Sequence, residues 1–379
     1  MISLEQIKER AVQKAMELGA ADVRVVAACV DALSQRRMQA AFRRGDFAVW
    51  GYDDEYARQA TDPRELVQHA RSVICVAVPY ATAPPKGGRL RGRVSNYAWS
   101  PDYHFKLRAL LDRVAREIDG CAGERETISA CDTRPLAERA LAAASGLGWI
   151  GKHTNLIAPQ LGSFVFLGEI VTTLELPPDP PLRKSCGACR RCVDACPTQA
   201  LRGDYTIDAN RCISDLTQRT DSIPAAMRSL IGDWVWGCDT CQLVCPPTQA
   251  ATGGASSEWA PRDLDVARPD LLELLRMRSG TFKRRFRRTA MGWRGAAVLR
   301  RNAAVALGNA LDRSAVRTLI ESMAEDPHPM VRGHAAWALG KIGSPAALAA
   351  LRRQRGAEKH RTVRGEIDSA LHAFEVRPG

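Results

Sequence analysis

SCGACRRCVDACP (185–197) and GCDTCQLVCP (237–246), with Cys212 between them, decide how this chain is organised. The first stretch reads Cys186-x2-Cys189-x2-Cys192-x3-Cys196-Pro197, the run of bacterial two-cluster ferredoxins. A cubane needs four thiolates. Close spacing lets one loop supply three of them, and the fourth cysteine of such a run reaches a second cluster. The second group is Cys212, then Cys238-x2-Cys241-x3-Cys245-Pro246. Its first cysteine stands far upstream, which makes 213–237 an inserted loop. Crossed ligation then gives Cys186, Cys189, Cys192 and Cys245 to one [4Fe–4S] cluster, and Cys196, Cys212, Cys238 and Cys241 to the other. Paired zinc sites are the competing reading, but zinc prefers two separated CxxC pairs. Two neighbouring clusters imply electrons delivered one at a time to something else.

The stretches on either side of this module differ from it in kind. DVRVVAACV (22–30), SVICVAVPY (72–80) and GSFVFLGEIVTTLEL (162–176) are apolar, β-branched runs of strand length, and 102–120 has helical periodicity ending on glycine. Ser3 and Gln6 have capping-box spacing ahead of an amphipathic N-terminal helix. PPDPP (177–181) and ATGGASS (251–257) read as hinges. Beyond them AAVALG (303–308) and AAWALG (335–340) recur at an offset of 32, and Arg300, Arg332 and Arg364 share that register. Ala/Leu helices at that period predict stacked helical hairpins similar to HEAT repeats. The expected fold is therefore mixed. It has an α/β domain over 1–176, a ferredoxin-like two-cluster module over 177–255, and α-helical repeats over 256–379.

The 379 residues carry a formal charge of +12. KRRFRR (283–288), just before the repeats, and the aligned repeat arginines suggest a groove for a polyanion, RNA or DNA. No apolar run is long enough to span a membrane, and the charged N-terminus lacks a signal peptide's apolar stretch, so a cytoplasmic location and no membrane partner are expected. Four of the twelve cysteines (Cys29, Cys75, Cys121, Cys131) lie outside the module. A reducing compartment favours metal over disulfides for the other eight. There is no GxGxxG after a strand and no P-loop. The cobalamin pattern DxHxxG is also missing, because Val331 follows Asp326-x-His328 where glycine is required.

Taken together, CDTRPLAERALAAASGLGWIGKHTNL (131–156), GSFVFLGEI (162–170), the CxxCxxCxxxCP run, CISDLTQR (212–219) and GCDTCQLVCP resemble the epoxyqueuosine reductases. The resemblance runs from about residue 40 to 250, and the repeat tail fits it. It implies an enzyme that reduces epoxyqueuosine to queuosine at the wobble position of tRNA. It also implies an N-terminal domain that holds cobalamin base-off beside one cluster, which agrees with the missing DxHxxG. The family's proton donor falls on Asp132, whose pKa should be raised by burial beside the corrin; the plain alternative is that Asp132 caps the helix after Pro135. Cobalamin contacts carry over to Arg58, Asp132, Thr154, Asn155, Ser163 and Asp239. Tyr97, Asp102 and Tyr103 match a family stretch in which Asn96 replaces the usual arginine. Arg219 stands where an acidic residue is usual, which puts a cobalamin contact there in doubt. Trp234, Trp236 or Tyr97 could stack on the target base. The expected partners are tRNA carrying epoxyqueuosine and an external electron donor of flavodoxin or ferredoxin type, with the chain a monomer. The alternative is a reductive dehalogenase-like cobalamin enzyme acting on a small molecule, which would need neither the +12 charge nor the repeats.

Overall fold

The computed structural model describes residues 2–122, 126–252, 259–261 and 263–375. Most of the 251–257 hinge lies outside the described residues. The chain forms two compact units, each assembled from separate stretches: Met1–Thr82, Asp102–Asn210 and Asp239–Ala260 in the first, and Ala83–Pro101, Arg211–Cys238 and Pro261–Gly379 in the second.

In the first unit, α1 (Leu4–Glu17) opens on the expected capping box, with Ser3 and Gln6 bonding each other's backbone N–H. Ile7, Ala11 and Ala15 recur every four residues and form its buried stripe. Four strands make the central sheet: β1 (Asp22–Ala27), β2 (Ser72–Pro79), β4 (Thr127–Ala130) and β7 (Val165–Thr172), in the order β1-β2-β7-β4. Every pairing is antiparallel. Strand β2 is buried along its whole length, which explains its unbroken apolar reading. Helix α4 (Tyr103–Ala122) packs on β4 and β7 and α5 (Glu138–Ala144) on β1, β2 and β7, while α2 (Ala32–Arg43) and α3 (Asp54–Ala60) pack on each other, and a short hairpin is made by β5 (Trp149–Ile150) and β6 (Leu156–Ile157). The sequence reading missed β4, a four-residue strand preceded by a polar stretch. Short helices α6 (Arg191–Asp194), α9 (Thr240–Leu243) and α10 (Pro246–Gln249) punctuate the cysteine module, with Cys192 on the first, Cys241 on the second and Cys245 at the N-cap of the third.

In the second unit, β3 (Arg93–Val94) pairs in parallel with β8 (Trp234–Trp236). The inserted loop holds α7 (Ile213–Gln218) and α8 (Ala225–Arg228). Three further short helices, α11 (Leu264–Ala267), α12 (Leu271–Leu275) and α13 (Ser279–Phe286), lead into the repeats. These are α14 (Ala296–Ala310), α15 (Val316–Glu325), α16 (Pro329–Ile342), α17 (Pro345–Ala357) and α18 (Arg361–Glu375). The repeated glycine has a packing reason. A Cβ on Gly308 would lie 2.9 Å from the Ala338 Cα, and one on Gly340 would lie 2.6 Å from the Ala370 Cβ, so α14, α16 and α18 approach through small residues. Segments 83–101 and 211–238 pack with these helices, a grouping that the linear three-part reading does not capture.

Candidate functional site

Asp132 sits just past the end of β4 in a left-handed conformation, φ 53°, which among non-glycine residues favours Asp and Asn. It does not cap α5: Ala137 holds the N-cap position, and no side chain bonds there. Its carboxylate instead accepts from the Tyr103 hydroxyl at 3.0 Å and lies 3.3 Å from His104 Nε2. The other ring nitrogen, Nδ1, is 2.6 Å from Asp102 Oδ1. Tyr103 stacks on Phe166 of β7, ring centroids 4.2 Å apart, which fixes the hydroxyl. The Asp132 side chain is 63% exposed, open on the side away from Tyr103 and His104.

Burial disfavours a charged His104, yet its bonds to Asp102 and Asp132 outweigh this and lift its pKa to about 9. The folded value lies above the ordinary one. The stabilisation it brings is therefore complete below about pH 6.5 and disappears as pH rises through about 9. His104→Gln should flatten the fall in unfolding free energy across that window, as read from denaturant titrations at several pH values.

Sequence reasoning missed a second acidic pair. Glu138 accepts the backbone N–H of Asp132, and Glu169 of β7 pairs with Ala130 and Cys75 across the sheet, fully buried. The Glu169 carboxyl is fully buried, and its hydrogen-bonding neighbour is the Glu138 side chain. Burial, then the negative charge of Asp132, raises Glu138 to about 7; burial, then the charge of Glu138, raises Glu169 well above the carboxylate range. A pair so placed keeps a proton at neutral pH. The available signal was the charged residue inside VFLGEIVT.

All eight module cysteines are free thiols. Cys192 and Cys245 are both close enough to the Cys186 thiol to feel its charge, and Cys245 also feels Cys189. In the second unit Cys212 feels Cys238. Burial is the largest influence on both Cys192, raised to about 11, and Cys212, raised to about 12. Among the described residues no three His, Cys, Asp or Glu side chains converge on a point as ligands of a single ion do. Four cysteines that influence one another, Cys186, Cys189, Cys192 and Cys245, are the set that the crossed ligation assigns to one cubane. Backbone N–H groups already point at two sulfurs, from Lys152 to Cys186 at 3.4 Å and from Ala200 to Cys196 at 3.3 Å.

The remaining sequence candidates fall in distinct surroundings. Arg58, on α3, is held by Glu55 at 2.7 Å and by Glu65, so its guanidinium is already paired. Thr154 is left-handed, φ 65°, and Arg139 Nη1 bonds its carbonyl at 2.9 Å. The Asn155 N–H donates to His153 Nδ1 at 3.2 Å. Among the described residues, buried His153 Nε2 and Trp149 Nε1 have no hydrogen-bond partner, and such orphaned groups beside the 151–155 turn fit a large ligand rimmed with amides, as a corrin is. Asp239 is buried at the N-cap of α9. The Ser163 N–H and hydroxyl meet Thr248 Oγ1 at 3.1 and 3.0 Å, and Thr248 in turn bonds the Cys245 thiol. Ser163 thus ties the start of β7 to Cys245, the last cysteine of the module.

Gly162 makes that junction possible. Its φ is 71°, and a Cβ would come 2.6 Å from the Thr248 Cα. Gly162→Ala should cost about 1–3 kcal/mol from the strained backbone alone. Chemical denaturation would show this as a lowered midpoint.

Two expectations for the helical unit are corrected. Arg300 is buried and pairs with Asp326 at 2.7 Å, and Arg332 pairs with Glu358 at 2.9 Å; they brace helices and do not face solvent as a phosphate groove requires. Arg364 is exposed, as are Lys283, Arg284, Arg287 and Arg288 of the basic run. Trp234 and Trp236 are buried, and Trp236 Nε1 donates to the Tyr97 hydroxyl at 2.8 Å, so neither indole offers a free stacking face. Trp293 is the exposed indole there. Arg219 is paired with Asp221 and Asp215. His328 caps α16. The reading also missed Arg301. It is fully buried and donates to the carbonyls of Leu216, Arg219 and Asp221, while Asn302 donates to those of Thr217 and Val235.

Comparison with known proteins agrees with this arrangement. Residues 185–248 match the family model of the 4Fe-4S double cluster binding domain, residues 61–133 that of Epoxyqueuosine reductase QueG, DUF1730, and residues 295–372 that of HEAT repeats. The epoxyqueuosine reductase of Bacillus anthracis is 36% identical over 85% of this chain and 86% of its own. That of Bacillus subtilis is 33% identical over 99% and 98%. A crystal structure of epoxyqueuosine reductase with an epoxyqueuosine-modified tRNA-Tyr stem loop superposes with a TM-score of 0.92 at 33% identity, covering 99% of this chain and all of that one. A Bacillus subtilis structure with its aspartate-bearing catalytic loop swung out of the active site also reaches 0.92 at 33% identity, over 98% of this chain and all of that one. With identity above 30% across nearly the whole length, the chain belongs to the epoxyqueuosine reductase family.

Proposed function

We propose that this chain reduces epoxyqueuosine in the wobble position of tRNA to queuosine, the last step in making that nucleoside. One observation carries the reading: an aspartate gripped by a tyrosine and a charged histidine shares a compact unit with Cys186, Cys189, Cys192 and Cys245. A relative's structure with a modified tRNA stem loop supports the substrate.

The net change breaks both C–O bonds of the epoxide, forms C=C and releases the oxygen as water, which takes two electrons and two protons. Cobalamin, when bound by Arg58, Thr154, Asn155, Ser163 and Asp239, supplies a reduced metal fed by single electrons from the two [4Fe–4S] clusters in the crossed ligation given above. Asp132 delivers a proton to the departing oxygen, because an alkoxide is a poor leaving group. His104 carries a proton at neutral pH and lies within bonding range of the same carboxylate, so it recharges Asp132 for the second transfer. Glu138 holds the Asp132 backbone in place. The exposed cations at 283, 284, 287 and 288 grip tRNA phosphates. Among the described residues no helix is long and apolar enough to cross a membrane, in keeping with work on tRNA in the cytoplasm.

The test is mass spectrometry of nucleosides from epoxyqueuosine-containing tRNA incubated with the reconstituted, reduced enzyme. The expected product is lighter by one oxygen atom. Unchanged tRNA alongside turnover of a small halogenated or epoxide compound would reverse the assignment in favour of a small-molecule reductase.

A further inference from the structure

Of the eight module cysteines, Cys189 is the exposed one; the rest are buried or partly covered. Its neighbours leave it open. Gly187 is left-handed, φ 50°, with empty space where a Cβ would stand, and Ala188 is exposed. The flanking charges have one sign. Arg183, Lys184, Arg190 and Arg191 are all exposed, against the single carboxylate of Asp194, which reaches Arg190 at 3.7 Å. Among the described residues no carboxylate pairs with Arg183, Lys184 or Arg191. Lys184 stands over the Trp149 ring, 5.6 Å from its centroid, and Lys152 Nζ bonds the Gly187 carbonyl at 2.8 Å, adding a fifth cation. An exposed redox ligand flanked in its own loop by four cations, with Lys152 bonded to that loop, is an entrance for electrons from a negatively charged body.

We infer that the surface around Cys189 is the docking port for an acidic one-electron carrier protein, which reduces the first cluster there. The inference rests on the two-cluster reading above. Each encounter moves one electron: the carrier is oxidised by one, the cluster is reduced by one, and two encounters meet the requirement of one epoxide. A nucleic acid is the other anionic partner, but phosphates would gain nothing from surrounding a redox ligand, whereas a carrier that must bring its own redox centre close to the cluster would. Opposed charges at such a port raise association rates by about 10–10³-fold at low salt.

The test is the triple substitution Arg183→Glu, Lys184→Glu, Arg191→Glu in the reconstituted full chain. Bleaching of the cluster's visible absorbance is followed by stopped flow, with a reduced acidic flavodoxin in one arm and a photoreduced deazaflavin in the other. The expected result is a 10–100-fold lower second-order rate with flavodoxin at low ionic strength and a weakened salt dependence. The deazaflavin rate and the affinity for tRNA should be unchanged. An unaltered flavodoxin rate overturns the port, and a loss of tRNA affinity with that rate unaltered reassigns the patch to RNA. If the two-cluster reading itself fails, the unsubstituted protein has no absorbance to bleach.

Discussion

Asp132→Asn is expected to slow turnover by about 10²–10⁴-fold, the usual contribution of a positioned acid, while both cofactors remain bound. The substitution isolates the proton. Asparagine tolerates the left-handed backbone that Asp132 adopts, and its carbonyl can still accept from the Tyr103 hydroxyl. The side chain is 63% exposed, so little packing is at stake. A single-turnover measurement under reducing conditions, with iron and cobalamin content determined on the same sample, separates loss of chemistry from loss of cofactor. Wild-type turnover would remove Asp132 as the acid. The same experiment run against pH should show wild-type turnover falling as His104 loses its proton near its raised pKa of about 9.

Cys192→Ala is expected to be more severe, abolishing turnover with the natural carrier. The wild-type chain should hold about eight irons and the variant about four, because one cubane loses a corner ligand that a buried alanine cannot replace. Cys192 is buried beside Cys186 and Cys245, so solvent has poor access to stand in for the missing thiolate. Cys121→Ser is the control. That cysteine lies on α4 near Arg10, away from the module, and its loss should leave iron and turnover intact. Equal iron in Cys192→Ala and wild type would contradict the ligand assignment.

These effects concern the residues that the sequence made easiest to find. Cysteine spacing is a one-dimensional signature of a three-dimensional cage, so the module could be read directly. The repeat period was also legible, since small residues recur wherever helices must approach, as at Gly308 and Gly340. The buried arginines were misread for a physical reason. A charge recurring every 32 residues looks like a surface stripe, and only packing shows that Arg300 and Arg332 have carboxylates waiting for them across the helices. Glu169 was passed over because one acidic residue scarcely alters an otherwise apolar strand, although it lies fully buried beside Glu138. Asp132 was singled out through the resemblance alone. Local sequence favoured a helix cap, and the Tyr103 and His104 contacts that define it come from a helix about thirty residues earlier.

The hold of Arg301 and Asn302 on the inserted loop has a consequence for biogenesis. Cys212 and Cys238 flank a segment whose carbonyls are anchored to α14, almost ninety residues beyond the first of them. A nascent chain still tethered to the ribosome at that point has made every thiolate but lacks the clamp that sets two of them. The placing of both thiolates therefore depends on two side chains of α14, so a chain that ends before that helix leaves the segment between them unanchored.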